Sequence, residues 1–331
     1  MDLGKLYELL KDEKPYRVKQ VENAVFFGLI EDWYKVTSLP LVIRELLQKN
    51  LPLDFDFRSI KSTQTNTYKA LIGLNDSLFV ETVLLMHKEN RNTVCVSLQV
   101  GCPLDCIFCR TAKVGFERNL TKFEIVMQVL FFQYFLKGQQ ARVTNVVFMG
   151  MGEPFLNYDN VMGAIRIFND KNKFNIGARK ISISTCGIPE KIEQLADEKI
   201  QVNLAVSLNA PDDVLRTRLM PVNKKYSLEK VMSAVKKYIN RTNRRVMFEY
   251  VLIENINDST ELAKELANLL KGILCFVNLI PYNGKGTLKP PSGRKIKIFR
   301  NFLKDNGIAV TQRYRFGQDI SAACGQLVYS E

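Results

Sequence analysis

The spacing of apolar residues divides the chain into two parts. Up to about residue 75, apolar positions recur every three or four residues, which predicts amphipathic helices near residues 3–10, 17–27 and 39–48. A polar, turn-like run at residues 61–67 interrupts this pattern. The pattern therefore predicts a small helical N-terminal domain, residues 1–75, and a second domain, residues 76–331.

The second part alternates between short β-branched runs and amphipathic stretches. Strands are predicted at residues 93–100, 145–149, 180–184, 202–208, 246–253, 276–280 and 309–314. Helices are predicted at residues 121–136, 189–197, 227–238, 259–270 and 294–305. Repeated strand–helix–strand units favour an α/β fold with a parallel sheet, in which functional residues gather in the loops that follow the strands.

Charge adds one feature to this picture. The formal net charge is +13 and the isoelectric point is near 9.3, a balance that favours polyanionic partners such as nucleic acid. Surface lysines that merely solvate the protein would give the same balance. The chain shows no signal peptide, and its most apolar helical stretch, residues 125–136, is shorter than the roughly 20 residues that span a bilayer. We therefore expect a cytoplasmic protein that does not enter a membrane.

The seven cysteines are unevenly distributed. Four lie close together in the sequence, and the other three stand apart at Cys186, Cys275 and Cys324. A cytosolic protein with a core of this size has no need of a disulfide scaffold. The clustered thiols at Cys95, Cys102, Cys106 and Cys109 therefore indicate a metal site.

The loop at residues 101–110, GCPLDCIFCR, follows a predicted strand and spaces three cysteines as C-x3-C-x2-C. Three thiolates hold three irons of a [4Fe–4S] cluster and leave the fourth iron open to a ligand. The alternative is structural zinc, which takes four Cys or His ligands. The only histidine is His87, and adding Cys95 gives an unusual zinc spacing, so the pattern favours the iron–sulfur cluster.

Polar residues also follow other strands. In the segment FMGMGEP, Gly152 permits close backbone approach and Glu153 can accept a hydrogen bond from an ammonium group, although a glycine-rich turn with a capping acid has the same composition. Small hydroxyl and amide groups suit the edges of a nucleoside, but each alone is also a common turn residue. Such groups occur at Ser184, at 207–209 and at Asn283.

The cysteine loop, with Phe108 before its third cysteine, resembles the signature of the radical S-adenosylmethionine (SAM) superfamily. The order VETV, CVSLQVGC, FMGMGEP, SIST, SLNAP, NLIPYN and DISAACGQL further resembles the RNA adenine methyltransferases of the RlmN and Cfr type over essentially the whole chain. The resemblance implies a partial (β/α)6 barrel with a small N-terminal helical domain that serves RNA binding. It also implies a [4Fe–4S] cluster on Cys102, Cys106 and Cys109, and two SAM molecules per turnover.

In that family, one SAM methylates a C-terminal cysteine, which matches Cys324. A second SAM yields a 5′-deoxyadenosyl radical that takes hydrogen from the S-methyl group, and the resulting methylene radical adds to the adenine. Cys95 matches the resolving thiol, which ends in a transient disulfide with Cys324, and Glu81 matches the proposed proton acceptor. Roles in SAM binding carry over to Gly152, Glu153, Ser184, Ser207, Leu208, Asn209 and Asn283, with Asn209 where the family usually has histidine.

The resemblance also implies partners. These are RNA, specifically 23S rRNA and tRNA, and an electron donor such as flavodoxin or ferredoxin, with the protein acting as a monomer. Basic residues that could contact phosphates lie at 236–245 and at Lys285, Lys289, Arg294, Lys295, Lys297 and Arg300.

The sequence leaves three alternative functions open. Pro154 in GMGEP and the spelling QVGC favour the branch that methylates adenine C2 over the antibiotic-resistance branch that methylates C8. A radical SAM enzyme that activates another protein would have no use for the pair Cys95 and Cys324. A basic iron–sulfur protein could also bind RNA without catalysis.

Overall fold

The computed structural model describes residues 1–284, 286–313 and 315–328. Helices lead the chain and then alternate with strands. The α-helices are α1 (Leu3–Leu9), α2 (Pro15–Asn23), α3 (Leu41–Asn50), α4 (Lys122–Lys137), α5 (Tyr158–Asn169), α6 (Pro189–Ala196), α7 (Asp213–Leu219), α8 (Leu228–Thr242), α9 (Thr260–Leu270) and α10 (Gly293–Asp305). A π-helical turn, Ala24–Gly28, extends α2.

The strands form one large sheet and one small one. They are β1 (Phe57–Lys61), β2 (Thr67–Gly73), β3 (Phe79–Met86), β4 (Asn92–Cys95), β5 (Gln99–Gly101), β6 (Phe116–Asn119), β7 (Asn145–Phe148), β8 (Ile181–Thr185), β9 (Asn203–Ser207), β10 (Val246–Leu252), β11 (Cys275–Pro281) and β12 (Val310–Gln312). The large sheet has the order β1-β2-β3-β4-β7-β8-β9-β10-β11-β12, and β5 pairs with β6.

From β4 onward the strands of the large sheet are parallel. Helical crossovers connect them, with α4 packed on α5, α6 on α8 and α9 on α10. The carboxyl ends of the strands therefore meet at one edge, as the strand–helix alternation predicts. The expectation of an α/β fold with parallel strands is confirmed.

Helix α4 shows how the local sequence determines one of the crossover helices. Thr121 and Glu124 form a reciprocal capping box at its start, and residues from Ile125 to Phe132 are buried on every side. A helix buried all round has no polar face, which explains the apolar run seen in the sequence. Among the described residues, no helix is long and apolar enough to cross a membrane.

The N-terminal region departs from the expectation of helices up to residue 75. Helix α3 ends at Asn50, and β1 and β2 form an antiparallel hairpin that continues through β3 into the large sheet. From Ala70 to Gly73 buried and half-buried positions alternate, as in a strand with one face on the core. The helical prediction is thus wrong for this hairpin, while the domain boundary at residue 75 stays a prediction.

The strand predicted at 93–100 is also divided. Pairing with β7 ends at Cys95, and the chain then turns so that β5 pairs with β6 instead. Gln128 of α4 fixes this turn, since its side chain accepts from the N–H of Ser97 at 2.8 Å and donates to the carbonyl of Ser97 at 2.8 Å. The predicted strand at 309–314 is shorter, and Tyr314 lies outside the described residues.

Candidate active site

A tight loop carries three of the cysteines directly after β5. Its first residue, Gly101, has a φ of +76°, and a Cβ there would lie 1.8 Å from the carbonyl oxygen of Gly115, so only glycine fits. The N–H of Cys102 donates to the same carbonyl at 2.8 Å. Further along, the N–H of Ile107 donates to the carbonyl of Leu219 at 3.1 Å. The loop is therefore held by β6 on one side and by the end of α7 on the other.

Cys102, Cys106 and Cys109 line one cleft with about 1010 Å³ of empty space, part of it open to solvent. Burial raises the pKa of the Cys102 thiol to about 12 and also raises the pKa of the Cys106 thiol. Bound iron would favour the thiolates instead. In the described residues, no group of three or more His, Cys, Asp or Glu side chains is placed to hold a single metal ion. The three thiols share a cleft, and this donor set fits a [4Fe–4S] cluster with one open iron.

Glu153 is buried in the wall of the same cleft, with 3% of its surface exposed. Its carboxylate accepts hydrogen bonds from Thr185 Oγ1 at 2.6 Å, from the N–H of Cys186 at 2.8 Å and from the N–H of Phe155 at 3.0 Å. Burial raises the pKa of Glu153 in spite of these bonds. A ligand ammonium group would stabilise the carboxylate, so Glu153 suits the amino group of SAM.

The glycines before Glu153 bring the backbone against the neighbouring strands. A Cβ on Gly150 would lie 2.5 Å from the carbonyl oxygen of Val96, and a Cβ on Gly152 would lie 2.6 Å from the side chain of Gln99. Gly152 also has a φ of +97° and lines the cleft. Main chain rather than side chain therefore forms this part of the cleft wall.

Four of the polar residues predicted at strand ends also line the cleft, namely Ser184, Ser207, Asn209 and Asn283. Asn209 has a left-handed φ of +62°, which asparagine tolerates better than most residues. Its side-chain oxygen accepts from the N–H of Val251 at 2.9 Å, and its amide nitrogen lies 3.1 Å from Met220 Sδ. The side-chain amide of Asn209, at the position where the family usually has histidine, therefore also stabilises the loop after β9.

Leu208 is fully buried and does not line the cleft. Its N–H donates to the carbonyl of Glu249 at 2.9 Å, and its carbonyl accepts from Arg216 Nε at 3.2 Å. Arg216, which sequence reasoning missed, is itself fully buried and also donates to the carbonyl of Cys186 at 2.6 Å. Arg216 thereby joins the loops after β8 and β9, and a SAM-binding role for Leu208 stays a prediction.

A second, smaller cavity of about 520 Å³ adjoins the cleft and is lined by Cys95 and Cys324. Cys324 lines both spaces, whereas Cys95 lines only the second. Burial raises the pKa of the Cys95 thiol to about 12 and raises the pKa of the Cys324 thiol as well. The structure thus brings together two cysteines that are more than 200 positions apart in the sequence.

Hydrogen bonds to three parts of the fold hold the segment that carries Cys324. Thr111 Oγ1 donates to the carbonyl of Leu327 at 2.6 Å. The N–H of Val328 donates to Glu81 Oε2 at 2.8 Å. Asp319 accepts from Ser62 Oγ at 2.8 Å in the turn between β1 and β2. The C-terminal segment therefore lies between the cysteine loop and the N-terminal hairpin.

Glu81 lies on β3 beside this segment rather than in the lining of the cleft. Its Oε1 forms an ion pair with Lys69 at 2.7 Å. Two residues further along β3, on the same face, Val83 pairs with Cys95 and lines the second cavity. The structure thus places Glu81 near the two cysteines but occupies its carboxylate with Lys69 and Val328.

Two charged residues at the cleft were not singled out from the sequence. Glu249 of β10 is 5% exposed, and its Oε1 lies 3.6 Å from Nη1 of Arg313, which follows β12. Oε2 of Glu249 accepts from the hydroxyls of Ser184 and Ser207. A carboxylate within the apolar strand VMFEYVL was the available signal, because a buried charge in a strand requires a partner.

The candidate phosphate contacts divide between the two ends of the sheet. Residues 236–245 precede β10 and so lie at the end opposite the cleft. There, Lys237 pairs with Glu193, Arg241 pairs with Asp197, and Arg245 lies over the ring of Phe276. These three cations have partners within the protein and lie at the end of the sheet opposite the cleft, and a role for residues 236–245 as phosphate contacts stays a prediction.

The second basic set follows β11 and therefore begins at the end of the sheet that carries the cleft. Of this set, Lys295 pairs with Asp258 at 3.2 Å, and Lys285 lies outside the described residues. Arg315, which was not predicted, lines the second cavity. Arg313 and Arg315, which line the second cavity, both come from the C-terminal third of the chain.

The parallel sheet and the three-cysteine loop define a radical SAM protein, and the family model described as "Radical SAM superfamily" matches residues 96–267. A curated relative from Carboxydothermus hydrogenoformans, called a probable dual-specificity RNA methyltransferase RlmN, is 45% identical over 96% of this chain and 92% of its own length. A relative of the same name from Thermotoga neapolitana is 46% identical over 94% of this chain and 91% of its own length. The chain belongs to the RlmN family of the radical SAM superfamily.

A solved structure supports this placement. The crystal structure of a radical SAM methyltransferase from Sphaerobacter thermophilus superposes with a TM-score of 0.92, is 43% identical, and covers 99% of this chain and 97% of its own. Membership in the superfamily implies a [4Fe–4S] cluster and SAM as cofactors. The cysteine loop and the cleft described above provide residues that fit both.

Proposed function

We propose that this protein methylates C2 of a specific adenosine in 23S rRNA, and also acts on tRNA, with Cys324 as the methyl carrier. The position of Cys324 is the observation that carries the proposal. Its side chain lines both the cleft of the cluster cysteines and the cavity of Cys95. A carrier that takes a methyl group on one side and is resolved by a thiol on the other needs this shared position.

When bound, the cofactors would supply the methyl group and the means to remove a hydrogen atom from it. Cys102, Cys106 and Cys109 would hold the cluster, and Glu153 would orient SAM through its ammonium group. Ser184, Ser207, Asn209 and Asn283 face the same space and suit the ribose and adenine edges.

Residues of the chain itself would complete the transfer. The sulfur of Cys324 accepts the methyl group and later links the protein to the adenine. Cys95, in the adjoining cavity, releases the product by forming a disulfide with Cys324. The carboxylate of Glu81 accepts a hydrogen bond from the N–H of Val328, in the segment that carries Cys324. We propose Glu81 as the acceptor of the ring proton.

The names of the relatives support an RNA substrate, since they are called dual-specificity RNA methyltransferases. Pro154 and the spelling QVGC favour C2 over C8 as the site of methylation. We further propose that the enzyme acts in the cytoplasm as a monomer and receives electrons from a flavodoxin or ferredoxin.

The test compares Cys324→Ala with Cys275→Ala in the reconstituted holoenzyme. Cys275 begins β11 and lines neither the cleft nor the second cavity. RNA incubated with SAM and a reductant is digested, and methylated adenosines are identified by mass spectrometry. We expect the Cys324 variant to form no 2-methyladenosine while it keeps its iron, and Cys275→Ala to match the parent protein. Full methylation by Cys324→Ala would refute the proposal, and 8-methyladenosine from the parent would assign the C8 reaction instead.

A further inference from the structure

Arg313 is a cation beside both the two thiols and the cleft. It lines both the cleft and the cavity of Cys95 and Cys324. Its backbone N–H donates to the carbonyl of Leu279 at 2.9 Å, and its Nη1 lies 3.5 Å from Met149 Sδ. The main chain of Arg313 is therefore fixed to β11, and its guanidinium lies against Met149.

Glu249 is the anion that faces this guanidinium, at 3.6 Å. In the described residues, Oε1 of Glu249 accepts no hydrogen bond, whereas Oε2 accepts from the hydroxyls of Ser184 and Ser207. The ion pair is thus longer than a hydrogen bond, and Arg313 retains contact with the cavity. A buried cation that is not fully matched by its anion acts on nearby ionisable groups.

The groups around Cys95 come from several elements. Three of them, Cys324, Arg313 and Arg315, line the same cavity, and Glu249 forms the ion pair with Arg313. His87 packs edge-on against Phe316 of the lining, with 5.2 Å between ring centroids. Glu81 on β3 is neutralised by Lys69. Arg313 is therefore the cation best placed to favour a negative charge on the sulfur of Cys95.

We propose that Arg313 is a positioning residue that stabilises the thiolate form of Cys95 for exchange with Cys324, and that Glu249 limits its effect. This proposal deepens the function proposed above and rests on it. In the exchange, Cys95 first loses its proton, and its sulfur then bonds to the sulfur of Cys324. The bond from that sulfur to the methylene carbon breaks, its electron pair stays on the carbon, and the carbon takes a proton to become the methyl group of the product.

The physical need for such a cation follows from burial. Burial is the main reason that the pKa of Cys95 rises to about 12, and the guanidinium of Arg313 opposes this rise. Only the thiolate is a nucleophile, so burial reduces the reactive fraction of Cys95, and the cation beside it increases that fraction. Removing Arg313 should raise the pKa of Cys95 further, and removing Glu249 should lower it.

The experiment measures the reactivity of Cys95 directly. The holoenzyme with Cys324→Ala, which leaves Cys95 as the thiol of the second cavity, is treated anaerobically with methyl methanethiosulfonate between pH 6 and pH 10. Modification of Cys95 is followed by peptide mass mapping, with Cys275 on β11 as an internal reference. Arg313→Gln, Arg313→Lys and Glu249→Gln are compared in this background, with iron content as the check on folding.

We expect Arg313→Gln to slow modification of Cys95 and shift its pH profile upward, with Arg313→Lys between it and the parent. Each unit of pKa should change the rate about threefold, because a more basic thiolate is also a better nucleophile. Glu249→Gln should speed modification and shift the profile downward, while the rate at Cys275 stays constant. A merely structural role would move both variants in the same direction, and that result, or no change in either, would overturn the proposal.

Two features keep the test decisive. If Arg313→Gln fails to retain iron, Glu249→Gln still tests the proposal, through the direction in which it changes the rate of Cys95 modification. The readout also needs neither RNA nor SAM, so it separates the two proposals. Opposite shifts in a protein that does not methylate RNA would support the role of Arg313 while refuting the proposed function.

Discussion

The main-chain N–H of Arg110 donates to the carbonyl of Gly325 at 2.8 Å. Arg110 follows Cys109, and Gly325 follows Cys324, so this bond joins the neighbours of these two cysteines. The next residue, Thr111, adds its side-chain bond to Leu327. The segment that carries Cys324, the proposed methyl carrier, is therefore hydrogen-bonded to the cysteine loop as well as to the rest of the fold.

Removing the hydroxyl of Thr111 should loosen this connection. In Thr111→Val, the buried carbonyl of Leu327 loses its partner, at a cost of about 1–3 kcal/mol to the docked segment. We expect RNA methylation to slow about tenfold, the factor that corresponds to roughly 1.4 kcal/mol, while the iron content is unchanged. The control is Thr242→Val at the far end of α8, whose hydroxyl donates to Tyr238. Equal rates for Thr111→Val and the parent would show that the bond is dispensable.

The cysteine loop should be intolerant of a side chain at Gly101. A Cβ there would lie 1.8 Å from the carbonyl oxygen of Gly115, whereas a Cβ on Gly115 would meet nothing within 4 Å. Both glycines have positive φ, so alanine strains the backbone at either position by about 1–3 kcal/mol. We therefore expect Gly101→Ala to lose its iron and Gly115→Ala to retain most of it, as measured by iron per chain. Similar iron retention in the two variants would contradict the role of this contact.

Asp319 should anchor the segment that carries Cys324, residues 317–328, to the N-terminal hairpin. The hydrogen bond from Ser62 is the main cause of its lowered pKa. A carboxylate with a lowered pKa stabilises the fold above its ordinary pKa of about 3.9 and loses that effect only as pH falls through the lowered value. Asp319→Asn should therefore speed hydrogen exchange in residues 317–328 by the same factor at pH 7 and at pH 5.

The matched control for this prediction is Asp305→Asn at the end of α10, distant in sequence from the hairpin. It should leave exchange in residues 317–328 unchanged. A difference between Asp319→Asn and the parent that vanishes at pH 5 would mean that the carboxyl of Asp319 is already protonated there and that its pKa is raised, against the hydrogen bonds seen here.

Much of the architecture could be predicted from sequence because its signals are local. Helix α9 was predicted at 259–270 and occupies Thr260–Leu270, since Ser259 caps it and its apolar stripe is regular. The hairpin of β1 and β2 was missed because β1 is exposed along its length and carries no alternation of apolar and polar positions. Its strand character comes from pairing with β2, which a local pattern does not report.

The residues of the site likewise divide into those that lie in short motifs and those that do not. The cysteine loop and Glu153 lie in short motifs, so their chemistry is legible in a few consecutive residues. Glu249 and Arg313 act as a pair across 64 positions of the chain, and neither belongs to a motif. The roles of Cys95 and Cys324 were assigned only through the family resemblance, because a cysteine outside a ligand motif has the pattern of a small core residue.

The central claim is that the methyl group passes through the sulfur of Cys324, and one isotope measurement tests it most directly. The reconstituted enzyme is supplied with SAM whose methyl group is fully deuterated, and the methylated adenosine is analysed by mass spectrometry. If a hydrogen atom is removed from the methyl group on Cys324 and a proton from solvent replaces it at release, the product methyl group carries one deuterium fewer than the donor. A product that retains every deuterium would show direct transfer from SAM to the base and would contradict the account.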